Sequence, residues 1–317
     1  LAADDLLGGK MTARAHLKAE RAGTQSIYSG RARYVTSENG FEFNCPPVPA
    51  RQFLAERDRA FDPKAPSGMI PLDASDALDT RYPATTPTLL CRYLKFRAGE
   101  ELRAKFVASG EICYVMSGAG ESRNGADTIA WGVGDVFCFP GGGESVHRAG
   151  AADCLLFCVT NEPLLAYERL RAPVAGQAAF EATHWPASEI EREFQDVYER
   201  PDSENTTGHS VQLSTGAMAP SNVTIPTINC AINTLKAGGD QRPHRHNGVA
   251  VTLAIQGDGV YSMIGGKRVD WSTGAAQITP ATHLHSHHNR GAGRMRSFVI
   301  QDEGLHHYTR TPGFSFD

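Results

Sequence analysis

Gly238-Gly239-Asp240-Gln241-Arg242-Pro243-His244-Arg245-His246 and, further on, Gly274-Ala275-Ala276-Gln277-Ile278-Thr279-Pro280-Ala281-Thr282-His283-Leu284-His285-Ser286-His287-His288-Asn289 are the stretches that decide the fold. Gly257 and Gly259 lie between them, so the imidazoles sit on short segments separated by glycine and proline turns. Alternate side chains of an extended strand share a face. His244 and His246 therefore point one way, and His283, His285 and His287 form a second such row. Two strands of a small barrel, each offering inward histidines, grip one ion from one side. Imidazole suits iron, zinc, copper and nickel, and three protein ligands on one face leave positions open for other molecules. The pattern points to an open metal centre. The bland alternative is a set of exposed loop histidines that scavenge metal by accident.

The 317 residues, 41% of them apolar, can bury one large core or two ordinary ones, and two domains is the expectation. A formal net charge of -4 with no long basic tract argues against nucleic acid as a partner. No apolar run approaches bilayer length and no signal-peptide succession opens the chain, so a soluble, cytoplasmic protein without a membrane partner is expected. The cysteines, 7 in all, show neither a paired framework nor C-x2-C spacing, which suits reduced thiols. Cys154 and Cys158, within the apolar run Cys154-Leu155-Leu156-Phe157-Cys158-Val159, read as core packing rather than redox chemistry.

Sliding the chain against itself reveals a second copy of the pattern. Pro87-Thr88-Leu89 and Cys91 match Pro226-Thr227-Ile228 and Cys230, and Gly99, Gly118 and Gly120 match Gly238, Gly257 and Gly259 at one constant offset. With one inserted residue, Gly134 and Pro140 then fall opposite Gly274 and Pro280. The ligand positions are not repeated. Lys105 stands where His244 is, Val107 where His246 is and Ser145 where His285 is, leaving Glu111 and His147 as the remaining polar pair. The first copy therefore reads as a scaffold or an oligomer-forming half. Four segments follow: an N-terminal helical and loop arm over 1–80, a first barrel with a degenerate site over 81–163, a helical linker over 164–218, and a second barrel with the metal site over 219–317. In the arm, 12–22 and 49–61 are helix-compatible. In the linker, Ser188 and Glu191 make a capping box for a helix with Ile190, Phe194, Val197 and Tyr198 on one face, ended by Pro201 before the polar stretch 202–209.

The two-part histidine pattern, with its glycines, proline and asparagine, resembles the cupin metal site. The duplicated chain resembles bicupins of the gentisate 1,2-dioxygenase group, which includes the salicylate-cleaving enzymes. The likeness spans most of 84–317. It rests on His244-Arg245-His246, on Gly257-Asp258-Gly259, and on Ile278-Thr279-Pro280 leading to His285-Ser286-His287 and Asn289. It implies an all-β fold of two double-stranded β-helix (jelly-roll) barrels. It also implies Fe(II) held by His244, His246 and His285, with His287 as the neighbouring acid or base.

Two departures narrow the reading. Where the cupin pattern places a glutamate four or five residues after the second histidine, this chain has Ala250 and Val251, so the ligand set is three neutral histidines. Such a site keeps the ion's full charge and favours an anionic chelating substrate such as a phenolate with an adjacent carboxylate. In many relatives the functional iron lies in the N-terminal barrel, whereas here the intact set is C-terminal. Tryptophans that flank the third ligand in the family are replaced by Thr282 and Leu284.

Thr252 and Ala254 share the strand phase of the first ligands and are small, leaving room for a ring. Arg294 and Arg296 are the candidates for a carboxylate clamp, Gln241 for the barrel mouth, and His283 for a wall residue or alternate ligand. Three classes of function compete. The leading one is an Fe(II) ring-cleaving dioxygenase that acts with O2 on gentisate or an amino-, chloro- or nitro-substituted salicylate. The others are a non-redox Mn or Zn hydrolase, isomerase or decarboxylase, and a binding bicupin without turnover. The resemblance further implies a homo-oligomer, commonly a tetramer.

Overall fold

Strand propensity and alternation dominate the architecture. The computed structural model describes residues 26–40, 42–199 and 208–317, so the expected helix over 12–22 and the stretch 200–207 lie outside the described residues. Residues 1–44 and 45–317 form separate units. The described part of the leading unit is exposed chain with one 3-10 turn, Ser29–Arg31.

In the larger unit the first ten strands are β1 (Gly68–Pro71), β2 (Leu90–Phe96), β3 (Glu101–Ala104), β4 (Gly110–Ser117), β5 (Gly120–Asn124), β6 (Asp127–Trp131), β7 (Val136–Pro140), β8 (Ser145–Ala149), β9 (Cys154–Thr160) and β10 (Thr183–Trp185). They make a sheet in the order β1-β2-β9-β4-β7-β10 and a second in the order β3-β8-β5-β6. The next ten are β11 (His209–Leu213), β12 (Asn229–Leu235), β13 (His244–His246), β14 (Ala250–Gln256), β15 (Val260–Ile264), β16 (Lys267–Asp270), β17 (Ala276–Thr279), β18 (His285–Asn289), β19 (Met295–Gln301) and β20 (Phe314–Phe316). They form the sheets β11-β12-β19-β14-β17 and β16-β15-β18-β13-β20. Each pair of sheets is one barrel, and all the ladders between these strands are antiparallel.

The two barrels meet through the sheet that holds β2, β9 and β4 and the sheet that holds β12, β19 and β14. Tyr93, Ile112, Tyr114, Phe157 and Val159 of the first join Cys230, Ile232, Val251, Leu253, Phe298 and Ile300 of the second in one apolar core. Tyr114 stacks on Phe298 with ring centroids 5.4 Å apart, and the Tyr93 hydroxyl donates to the Gly274 carbonyl at 2.7 Å. Strands such as β2 and β9 are buried throughout because their other face fills the first barrel, where Leu94, Phe96, Val115, Phe137 and Leu156 form a second core. Two buried faces explain the unbroken apolar runs.

Several boundaries differ from the sequence reading. β1, inside the expected arm, pairs with β2, and β11, inside the expected linker, pairs with β12, so each barrel's sheet begins ahead of 81 and 219. β10, also in the linker, extends the first barrel along β7. These strands are short and half-exposed, and of the three only β11, where Val211 and Leu213 alternate with Ser210 and Gln212, carries an apolar alternation. The helix foreseen over 49–61 spans Leu54–Phe61. The residues just before it bond to the second barrel instead: Phe53 N–H donates to the Ala276 carbonyl at 2.9 Å, and Ile278 N–H to that of Arg51 at 2.8 Å. The linker helix runs Ala187–Glu199 and buries Ile190 and Phe194. It starts one residue ahead of Ser188. Its first N–H, from Ala187, is capped by Asp135 Oδ1 at 2.7 Å, so the cap comes from the first barrel rather than from a local box.

The repeat is also refined. Gly120 pairs with Ala149 and Val260 with Asn289, so Val260, not Gly259, is the counterpart of Gly120, and the inserted residue lies in the turn before β15. Gly259 there has φ +72, and a Cβ would meet the Gly291 backbone at 2.8 Å.

Candidate metal centre

β13 and β18 are the strands that the histidine spacing predicts, and His244 pairs with His285 across them. Ligating nitrogens of His244, His246 and His285 lie within 4.8 Å of one another, and all three residues are buried. Their orientation is fixed by the backbone. His244 Nδ1 lies 2.9 Å from the Arg242 carbonyl, His246 Nδ1 2.7 Å from that of Gly248, and His285 Nδ1 2.9 Å from that of His283. A carbonyl only accepts, so each Nδ1 carries the proton and each Nε2 is unprotonated, that of His246 accepting from the Gln301 amide at 3.2 Å, a contact that an ion would replace. Burial holds the His244 imidazole down to about 4. Burial, then the neighbouring imidazoles of His244, His246 and His287, pushes His285 far below the usual histidine range. Neutral, converging imidazoles suit a divalent transition metal.

The position opposite Glu111 in the first barrel is Ala250, and among the described residues no carboxylate groups with the three ligating nitrogens; Glu303 Oε1 lies 3.6 Å from His246, but on its Nδ1 side. Glu111 pairs with Thr160, whereas Ala250 pairs with Gln301. The Gln301 amide lies 3.2 Å from His246 Nε2 and occupies the side of the site where a glutamate would stand.

His287 is buried beside the ligands, its ring centroid 6.1 Å from that of His285. It does not orient His285, whose Nδ1 is held by the His283 carbonyl. Instead its own Nδ1 lies 2.9 Å from Ser262 Oγ. That oxygen also receives the indole N–H of Trp271 at 2.7 Å and the Gln277 amide at 2.6 Å. With two donors aimed at it, the Ser262 hydroxyl gives its own proton to His287 Nδ1, which leaves Nε2 as the protonated nitrogen. Burial, then His244, pushes the His287 imidazole down to about 3.

The inner wall follows strand parity. Thr252 and Ala254 are buried on the face of β14 opposite to Val251 and Leu253. The same parity turns Asn229, Asn233, Gln277, Thr279 and Ser297 inward. Buried oxygens of these five, and Gln241 Oε1, have no hydrogen-bond partner among the described residues. Unpartnered buried acceptors invite a ligand or water. Gln241 lines a cleft of about 210 Å³ together with Gly208, Ser210, Asn233 and Met295, and its N–H donates to the His287 carbonyl at 2.8 Å.

Three expected contacts are not made. Arg296 is ion-paired with Glu191 and lies over the Phe194 ring, and Arg294 lies over the Tyr198 ring at 3.9 Å, so both face the linker helix and form no clamp. Ser297, not Arg296, takes the inward phase of β19. His283 precedes β18 in a turn where Thr282 has φ +65, and is exposed; its carbonyl, not its ring, serves the site. Ser262, Trp271, Gln277 and Gln301 were missed. A signal existed for the first two: Ser122, Trp131 and His147 recur as Ser262, Trp271 and His287 at one offset, and Ser122 Oγ again lies 2.8 Å from the His147 Nδ1 and 2.8 Å from the Trp131 indole nitrogen.

Among known proteins, the Cupin domain family matches residues 231–301. A 5-aminosalicylate 1,2-dioxygenase of Comamonas sp is 36% identical over 81 residues, 26% of this chain and 22% of that relative, so the match spans less than a quarter of the relative's length. Salicylate 1,2-dioxygenase from Pseudoaminobacter salicylatoxidans, solved with gentisate, superposes with a TM-score of 0.71 at 10% identity, covering 89% of both chains. Oxalate decarboxylase of Bacillus subtilis superposes with a TM-score of 0.52 at 12% identity, covering 81% of this chain and 76% of that one. The chain thus carries a cupin domain and shares the two-barrel fold of the salicylate dioxygenase over nearly its whole length.

Proposed function

We propose that this bicupin is an Fe(II)-dependent ring-cleaving dioxygenase of a hydroxylated aromatic acid, gentisate or a substituted salicylate, that inserts both atoms of O2. The observation that carries the reading is the set of three buried imidazoles with converging Nε2 lone pairs and no carboxylate among them. His244, His246 and His285 would hold the ion. When bound, ferrous iron supplies the Lewis acidity and electron transfer that allow O2 to react with an electron-rich ring.

The rest of the chemistry belongs to the chain. A neutral ligand set leaves positive charge at the centre, which draws an anionic acid into the barrel. Thr252 and Ala254 leave space for the ring. Inward carboxamides and hydroxyls of Asn229, Asn233, Gln277, Thr279 and Ser297 offer hydrogen bonds to its substituents, and Gln241 stands at the cleft. His287, neutral in its buried position, would present Nε2–H toward the reacting groups as a hydrogen-bond donor, held in that tautomer by Ser262. The 5-aminosalicylate activity of the Comamonas relative supports a salicylate-type acid. Among the described residues no helix is long and apolar enough to cross a membrane; a cytoplasmic location and a tetrameric homo-oligomer belong to the same proposal and rest on the resemblance.

The test is oxygen uptake by anaerobically iron-loaded protein across gentisate and amino-, chloro- and nitrosalicylates. Uptake with at least one acid is expected. Verified iron and acid binding with no uptake across the panel would sink the reading.

A further inference from the structure

The first barrel has lost the histidines that would mirror the second, yet its interior is not inert. Glu111 and Cys113 lie two apart on β4 and share a face, and Cys113 pairs directly with Cys158 on β9. One carboxylate oxygen and the two sulfurs lie within 4.8 Å of one another. All three residues are buried, and both cysteines are free thiols.

Glu111 has no hydrogen-bond partner of ordinary geometry among the described residues. It is 3% exposed. His147, 0% exposed, directs an equally unpartnered Nε2 toward it at 3.8 Å, while its Nδ1 is held by Ser122. A buried carboxylate without donors is costly, and so is a buried imidazole nitrogen without a partner. Two such groups facing each other beside two thiols make a gap in the hydrogen-bond inventory that a cation closes. A route in exists: Glu111 and Ser145 line an open cleft of about 220 Å³ with Phe106, Gly110 and Asn124.

We propose that the first barrel carries a second metal site, built by Glu111, Cys113 and Cys158 with His147 within reach, that takes a zinc-like divalent ion. Sulfur ligands set the class, since thiolates select zinc, cobalt and cadmium over magnesium or calcium. The three-histidine centre in the other barrel shares no ligand with it. The two sites therefore differ in spectroscopy as well as in place.

Cobalt(II) distinguishes them, because only a thiolate ligand gives a sulfur-to-cobalt charge-transfer band in the near ultraviolet. Chelator-stripped full-length protein titrated with Co(II) should bind two equivalents per chain and develop that band. His285→Ala should lose one equivalent and keep the band. Cys113→Ala with Cys158→Ala, or Glu111→Gln alone, should lose the other equivalent, and the cysteine pair should lose the band with it. Saturation of the wild-type chain at one equivalent without the band overturns the proposal, as does a band that survives in the folded double-cysteine variant.

Discussion

Ser262 Oγ lies 2.9 Å from His287 Nδ1, and the Trp271 and Gln277 donors that converge on the same oxygen oblige the serine to act as the donor of that bond. The histidine beside the metal ligands is thereby fixed with its proton on Nε2. Ser262→Ala removes the bond that selects this tautomer and leaves the ligands untouched. Turnover should fall about 10–100-fold, the usual cost of losing such a supporting bond, with iron content unchanged. Metal analysis beside steady-state kinetics checks this; iron lost with activity would place Ser262 in support of the ligands instead.

His285→Ala removes one of three converging Nε2 lone pairs and should abolish both iron binding at the centre and oxygen uptake. His147→Ala, in the other barrel, should leave iron at the three-histidine centre. Iron quantification of both variants separates the barrels, and loss of that iron from the His147 variant would overturn the assignment.

Arg296 ties β19 to the linker helix through Glu191 and the Phe194 ring. Arg296→Ala should lower stability by about 1 kcal/mol and leave kcat/KM unchanged, because the side chain faces away from the barrel interior. Chemical denaturation and kinetics on the same preparation test it. A specific rise in KM for the aromatic acid would restore the clamp.

Glu111 makes the metal-free protein pH-sensitive. Burial raises its carboxyl from 4.5 to about 7, so the folded chain holds this proton where the unfolded chain has released it. The resulting stability is fully present below the unfolded value and is lost as pH rises through 7, a swing of about 3 kcal/mol for the group. Glu111→Gln should therefore stabilise the chelated protein more at about pH 8 than at about pH 5. Denaturation of both proteins at the two pH values decides it, and an equal difference at each would show that the carboxylate is solvated or partnered.

The ligand strands were legible because imidazoles at alternate positions between glycine and proline turns serve few purposes besides holding a metal ion. Alternation puts His244 and His246 in one row and His283, His285 and His287 in another, and the resemblance then singles out His285 as the third ligand. Phase was harder to carry across the chain. The parity of β13 says nothing about β19, whose inward residues depend on how it pairs with β12 and β14, and so Arg296 was placed on the wrong face. His283 fails for a related reason, since the turn at Thr282 interrupts the alternation before β18 starts. The Ser262–Trp271 support is readable in the repeat, where Ser122 and Trp131 stand at the same offset as His147. Gln301 left no such trace: it meets His246 only through the pairing of β14 with β19.

The central claim is that the three-histidine barrel cleaves an aromatic ring with dioxygen, and isotope incorporation tests it most directly. Iron-loaded protein turning over its best salicylate under oxygen-18 gas should give a ring-opened product carrying both labelled atoms. A product with an intact ring, or one that carries a single labelled atom or none, would contradict the account.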